Sequence, residues 1–143
     1  MYGSLDISVS GMVAQRIRLE TIAANIANRD AVLDGTGNPN PPHRKFAIFA
    51  PGDPAAATPA GKNLGVHVAA IAEEVSEYRK VWDPGHPLAK PEGHPDAGWV
   101  YYPNIDPVTE QVNAVEAARA YEANVAAAEA AKALVAQALR LLA

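Results

Sequence analysis

Four histidines, a group of three glutamates and two asparagine-bearing stretches are the residues with chemistry to offer. The histidines are His43, His67, His86 and His94, and no two of them stand in an H-x-x-x-H or H-E-x-x-H spacing that would turn both rings to one metal ion. Three sit beside prolines. His86 and His94 share one loop and form the single pair that could meet on a metal, but solvated loop histidines are the simpler reading. His67 falls in an alternating stretch and is expected to point outward. Gly61-Lys62 lacks the glycine spacing of a phosphate loop and is followed by Asn63. Gly35-x-Gly37 lacks the third glycine of a dinucleotide turn. Ser4, Ser8, Ser10 and Ser76 have no nucleophile-elbow glycines around them. Glu73, Glu74 and Glu77 could in principle pair for acid–base work, yet they lie in an expected turn, where a charge run is ordinarily solvated. The expectation is a protein that is not an enzyme and holds no cofactor or metal.

Asn25 and Asn28 are a different matter. Asparagine is a mediocre residue inside a helix and a good terminator. Two readings stand side by side: the amides fray the helix end, or they bond to the backbone of a neighbouring chain. The stretch Arg119-Ala120-Tyr121-Glu122-Ala123-Asn124 raises the same question. Arg119 and Glu122 are three apart and can pair on one face, while Tyr121 and Asn124 lie near an apolar seam. Core packing with an ordinary surface ion pair is the plain alternative.

The elements that must position these residues follow from proline. All twelve prolines of the 143-residue chain lie from Pro39 to Pro107, so both flanks are free to be helical and the centre is not. Residues 1–38 then form a helix and turn, 39–105 a β- and loop-rich middle, and 106–143 a second, long helix. The fold class is α+β, with the two flanking helices joined in an antiparallel, coiled-coil-like pair. In the first flank Leu5, Met12, Leu19 and Ile26 lie seven apart, Val9 and Ala23 fall between them, Ile22 widens the stripe, and Arg16 is its polar exception. In the second, Asp106 can cap the helix and Pro107 suits its first position. Glu110 places negative charge near the positive end of the helix dipole. From Val108 onward there is neither Gly nor Pro, and fourteen of thirty-six residues are alanine. That composition favours one unbroken helix of roughly 54 Å at about 1.5 Å per residue. Its seam reads Ala114, Ala118, Tyr121, Val125, Ala128, Lys132, Val135, Leu139, Leu142. So long an apolar face cannot be hidden against one shorter helix, and the surplus predicts packing between chains, or helix ends that order only with partners. In the middle, Lys45–Ala50, Leu64–Ile71 and Ser76–Trp82 read as strands; 51–61 and 83–98 read as loops.

Bulk composition excludes several classes. There is no cysteine, hence no disulfide framework or thiolate metal site. A net charge of −4 leaves no basic footprint for nucleic acid. No run of about 18 apolar residues is present to span a membrane, and Asp6, Gln15, Arg16 and Arg18 interrupt any secretory-signal pattern in the first 19 residues.

The flank segments resemble a known family. Leu19-Glu20-Thr21-Ile22-Ala23-Ala24-Asn25-Ile26-Ala27-Asn28 is similar to the N-terminal signature of bacterial flagellar rod and hook proteins, and Ala118-Arg119-Ala120-Tyr121-Glu122-Ala123-Asn124 to their C-terminal one. Trp82-Asp83-Pro84-Gly85-His86-Pro87-Leu88-Ala89, Pro103-Asn104-Ile105-Asp106 and the basic pair Arg44-Lys45 before a strand narrow the resemblance to the short proximal rod members. The resemblance implies a structural subunit of the flagellar basal-body rod, which crosses the periplasm and transmits torque. It implies export through the flagellar type III apparatus without a cleaved signal, and terminal helices completed on assembly with copies of the chain and other rod proteins. The assembly interface is then expected at Leu5, Met12, Leu19, Ile22, Asn25, Ile26, Asn28, Arg119, Tyr121, Asn124, Val125, Val135, Leu139 and Leu142. The class-different alternative is a small enzyme or ligand-binding domain with its site in the central loops.

Overall fold

A computed structural model describes residues 2–142, with the side chains of 3–141. Helix α1 (Tyr2–Ala27) opens the chain and helix α3 (Pro107–Leu142) closes it. Between them lie strand β1 (Arg44–Pro51), the short helix α2 (Pro59–Leu64) and strands β2 (Val66–Glu74), β3 (Arg79–Trp82) and β4 (Trp99–Tyr102). Both sheets are two-stranded and antiparallel. In the first, Arg44 faces Glu74 and Pro51 faces Val66, with an irregularity between Ile48 and Phe49. In the second, Arg79 faces Tyr102 and Trp82 faces Trp99. The expected α+β arrangement, with α1 and α3 packed lengthwise and a small antiparallel middle, is the one observed.

The helix α3 starts as its residues dictate. Asp106 accepts from the N–H groups of Val108 (3.2 Å) and Thr109 (3.2 Å) and from the Thr109 hydroxyl (2.6 Å). These satisfy donors that an uncapped helix start leaves open. The Thr109 hydroxyl, and then the Val108 N–H, hold the Asp106 carboxyl below its ordinary value of 3.8. A carboxylate lowered on folding stabilises the fold above its unfolded value and ceases to do so as pH falls through the folded one. Asp34, held down by the Thr36 hydroxyl and neighbouring N–H groups, and Asp96, held down by Tyr101 and Lys80, act in the same sense. Stability is therefore expected to fall from about pH 4 downward. Asp106→Asn, which still caps but does not titrate there, should flatten part of that fall in denaturant titrations run across pH.

The helix α2 was not expected, because 51–61 is rich in Pro and Gly and reads as a loop. Its cause is local: Thr58 caps it by accepting from Gly61 N–H, Pro59 takes the first turn, and the Thr58 N–H is itself held by Asp6 of α1 (2.8 Å). Gly61 permits the close approach, since a Cβ there would lie 2.8 Å from the Asp6 Cβ and 2.6 Å from that of Ala56. Leu64, expected in a strand, ends α2; Glu73 and Glu74, expected in a turn, end β2. The strand expected at Ser76–Trp82 begins only at Arg79, and β4, Trp-Val-Tyr-Tyr, is an additional strand pairing with it. Among the described residues the buried apolar side chains are few; they include Ala14 and Ile22 of α1, Ala117 and Ala128 of α3, Val100 of β4, and Pro103 and Ile105 in the segment after it. No helix among them is long and apolar enough to cross a membrane.

Candidate functional site: a helix pair locked by a buried polar clamp

Helix α1 is covered on two sides, by α3 on one and by α2, β1 and β2 on the other. Small and polar residues make this possible. Ser10 donates to Ile7 O (2.7 Å) and accepts from Val66 N–H (3.1 Å), tying the start of β2 to the helix. Toward α3 the chain comes close at Gly11, where a Cβ would lie 2.8 Å from the side-chain amide of Asn124. That amide donates to Ala120 O on its own helix (2.8 Å) and lies against the bare backbone of α1.

At the other end of the pair Asn25 is almost fully buried. Its Nδ2 donates to Lys45 O (2.7 Å), and its Oδ1 accepts from Lys45 N–H (2.9 Å), so one side chain pairs with the β1 backbone as a neighbouring strand would. The same Nδ2 donates to Glu110 Oε2 of α3 (2.9 Å). Glu110 is fully buried. Its other oxygen, Oε1, accepts from Arg44 Nε (2.7 Å), while Arg44 also donates to Glu74 Oε2 (2.9 Å). Burial works against the Arg44 charge, but the hydrogen bonds to Glu110 and then Glu74 outweigh it and leave its pKa raised. One connected group therefore joins α1, β1, β2 and α3, with both Glu110 oxygens satisfied. A carboxylate without partners at this depth would be strongly unfavourable.

The residues expected at the seam divide. Ile22 and Asn25 are buried; Leu5, Met12, Leu19, Asn124, Val125 and Val135 are half-buried; Ile26, Asn28, Arg119, Tyr121 and Leu139 are exposed; the Leu142 side chain lies outside the described residues. The contact face of α3 is turned slightly from the expected one. Ala117, Ala131 and Ala138 face inward where Ala118, Lys132 and Leu139 were expected. With alanine on nearly every row, close approach rather than side-chain size decides which row wins. Within the chain the Asn25 amide does not fray the helix; it is bonded to β1 and to Glu110. Asn28 does end the helix, donating to Ala24 O (2.8 Å). Arg119 and Glu122 form no ion pair among the described residues; Arg18 instead reaches Glu116 (3.3 Å).

Gly11, Glu110 and Arg44 are the contributors whose roles spacing did not reveal. A glycine inside an otherwise helical pattern was the available signal for the first. His86 Nδ1 accepts from Leu88 N–H, and His94 Nδ1 from Asp96 N–H. These bonds make both rings loop braces. No group of three metal-type side chains occurs among the described residues.

Comparison with known proteins agrees with this architecture at both ends. Residues 5–32 match the family model described as flagella basal body rod protein, and residues 96–141 match that of the flagellar basal body rod FlgEFG protein C-terminal region. The chain is 38% identical to the flagellar basal-body rod protein FlgC of Yersinia enterocolitica, over 95% of this chain and 93% of that one. It is 35% identical to FlgC of Salmonella typhimurium over the same shares. With FlgC of Bacillus subtilis it shares 34% identity over 98% of this chain and 97% of the relative. Two helical ends that match the rod models, and a middle that aligns throughout with these relatives, place the chain in the FlgC family of flagellar basal-body rod proteins.

Proposed function

We propose that this protein polymerises with copies of itself and with other rod subunits through the α1–α3 pair, forming part of the shaft required for flagellum assembly and motility. The observation that carries this reading is surplus apolar helix. The two helices run antiparallel with Gly11 against Asn124 and Asn25 against Glu110, so the start of α1 is reached near Ala131 to Ala133. The last turns of α3 extend beyond it, with Leu134, Leu139 and Leu141 exposed. Exposed apolar surface of this extent on a helix end marks a site of association. Catalysis has no part in this reading. A core built on so few buried side chains is also compatible with passage through the flagellar type III export apparatus as an unfolded chain, with the helices completed on assembly.

Deletion of residues Leu19–Asn28, or of Ala133–Ala143, is expected to abolish the rod in electron micrographs of basal bodies and to abolish swimming. Intact rods and normal motility in either deletion would overturn the reading. The isolated chain in dilute solution should give less helical circular dichroism than α1 and α3 together require.

A further inference from the structure

Each long helix carries an exposed stripe at steps of three and four. On α1 it reads Val13, Arg16, Glu20, Ala23, Ala27; on α3 it reads Val112, Val115, Arg119, Glu122, Ala126. The valines are far from buried, Val13 at 42%, Val112 at 56% and Val115 at 52% exposed. Laid antiparallel, the two stripes match position for position. Val13 meets Ala126, Arg16 meets Glu122, Glu20 meets Arg119, Ala23 meets Val115 and Ala27 meets Val112. Every valine falls on an alanine and each charge on its opposite, without a change of register over about 21 Å of helix.

The structure assigns to these stripes a contact between two copies of the chain, the stripe of α1 in one against the stripe of α3 in the next. This rests on the rod-subunit reading and specifies its geometry. Within one chain α1 and α3 meet through other residues, Gly11 with Asn124, Arg18 with Glu116 and Asn25 with Glu110, so the two stripes do not pair with each other there. Arg16 and Glu20 pair only with each other, at 3.6 Å and largely in solvent, and Arg119 and Glu122 make no ion pair among the described residues. In the contact the four form one alternating network, which suits charges better than isolated surface pairs. The valine–alanine fits at either end let the helices approach closely, as interdigitating rows do. The contact joins unlike faces, so each added copy leaves one stripe free at either end. A heterologous contact of this kind continues as a ring or a helical polymer and does not stop at a dimer. The central charge quartet also sets direction: aligned in parallel from Val13 and Val112, only Glu20 and Arg119 meet as opposites, while Arg16 falls on Val115 and Glu122 on Ala23, whereas the antiparallel alignment pairs all four charges.

The chain has no cysteine, so single cysteines report the contact directly. Full-length Val13→Cys and Ala126→Cys chains, co-expressed in cells lacking the wild-type copy, should yield a disulfide-linked dimer in oxidised, isolated basal bodies. Val13→Cys alone should give none. Arg119→Glu should lower the amount of chain in basal bodies about tenfold, and Glu20→Arg in the same chain should recover most of that loss. Basal bodies that contain both cysteine variants without the cross-link would overturn the register and leave the rod-subunit reading standing, as would failure of Glu20→Arg to rescue. Absence of the wild-type chain from basal bodies would overturn both.

Discussion

Replacing Glu110 by alanine is expected to cost the fold about 3 kcal/mol, the lower end of what removing one partner from a buried ion pair does. The side chain is fully buried, and its loss strips Arg44 of one carboxylate and Asn25 of one acceptor. Arg44 is about a quarter exposed and keeps Glu74, so solvent and the second partner moderate the loss. Glu110→Gln separates charge from shape. Its amide can still accept from Asn25 or Arg44 through one oxygen, but the other terminal atom becomes a donor facing a donor. An intermediate loss, about 1–2 kcal/mol, follows from one unsatisfied buried group. Chemical denaturation of the purified full-length chain, followed by the near-ultraviolet signal of Trp82 and Trp99, reads both values. Equal stability of Glu110→Ala and wild type would show that the clamp does not hold the helix pair to the β1–β2 sheet.

The parts of this architecture legible in the sequence are those set by local rules. Helix periodicity is a property of neighbours three and four apart, so α1 and α3 are readable from leucine spacing and from an alanine-rich run without breakers. The Asp106-Pro107 start is readable for the same reason, and the cap is present with both expected N–H bonds. The confinement of proline to 39–107 leaves α1 free of it and α3 with proline only at its first position. Three things depended on tertiary contact and were not readable. Which row of α3 faces inward is decided by Gly11 and Asn124 across the helix pair, and alanines on every row leave the sequence indifferent. Glu110 looks like a dipole residue on the first turn; only the arrival of Asn25 and Arg44 makes it a buried acceptor. Asn25 satisfies its amide against a strand that begins some twenty residues later, a partner that helix-end rules do not contain. The short elements failed for another reason. Helix α2 depends on one cap and one proline in a Pro/Gly-rich run, and β4 has strong β-formers but only four residues, so neither builds a periodic signal. The flank motifs of the rod family compensated, since they draw attention to Asn25, Arg119, Tyr121 and Asn124 even where local spacing cannot tell clamp from surface.

A side chain at Gly11 is expected to damage assembly more than it damages solubility or secondary structure. In Gly11→Ala the new Cβ would lie 2.8 Å from both polar atoms of the Asn124 amide, closer than real contacts allow. Alanine favours helix over glycine by about 1 kcal/mol in an open position, so the local effect alone is stabilising. Against it stands overpacking, which costs about 1–3 kcal/mol in a close-packed interface. The net for Gly11→Ala is near zero to mildly destabilising, because Asn124 can swing aside by giving up its bond to Ala120 O. Gly11→Val has no such escape. Two further methyl groups and poorer helix propensity should remove about 2–3 kcal/mol and spread α1 from α3 along the shared seam. Pairing each variant with Asn124→Ala provides the decisive comparison. If the amide is the obstacle, Gly11→Ala with Asn124→Ala should be more stable than Asn124→Ala alone, while Gly11→Val should recover only in part. A double-mutant cycle from thermal unfolding gives the coupling directly. A coupling of zero would mean that α1 and α3 are not in contact at this crossing. Spreading the pair also shifts the two proposed stripes relative to each other within one chain. Gly11→Val should therefore lower incorporation into basal bodies even where the isolated chain retains its helical content.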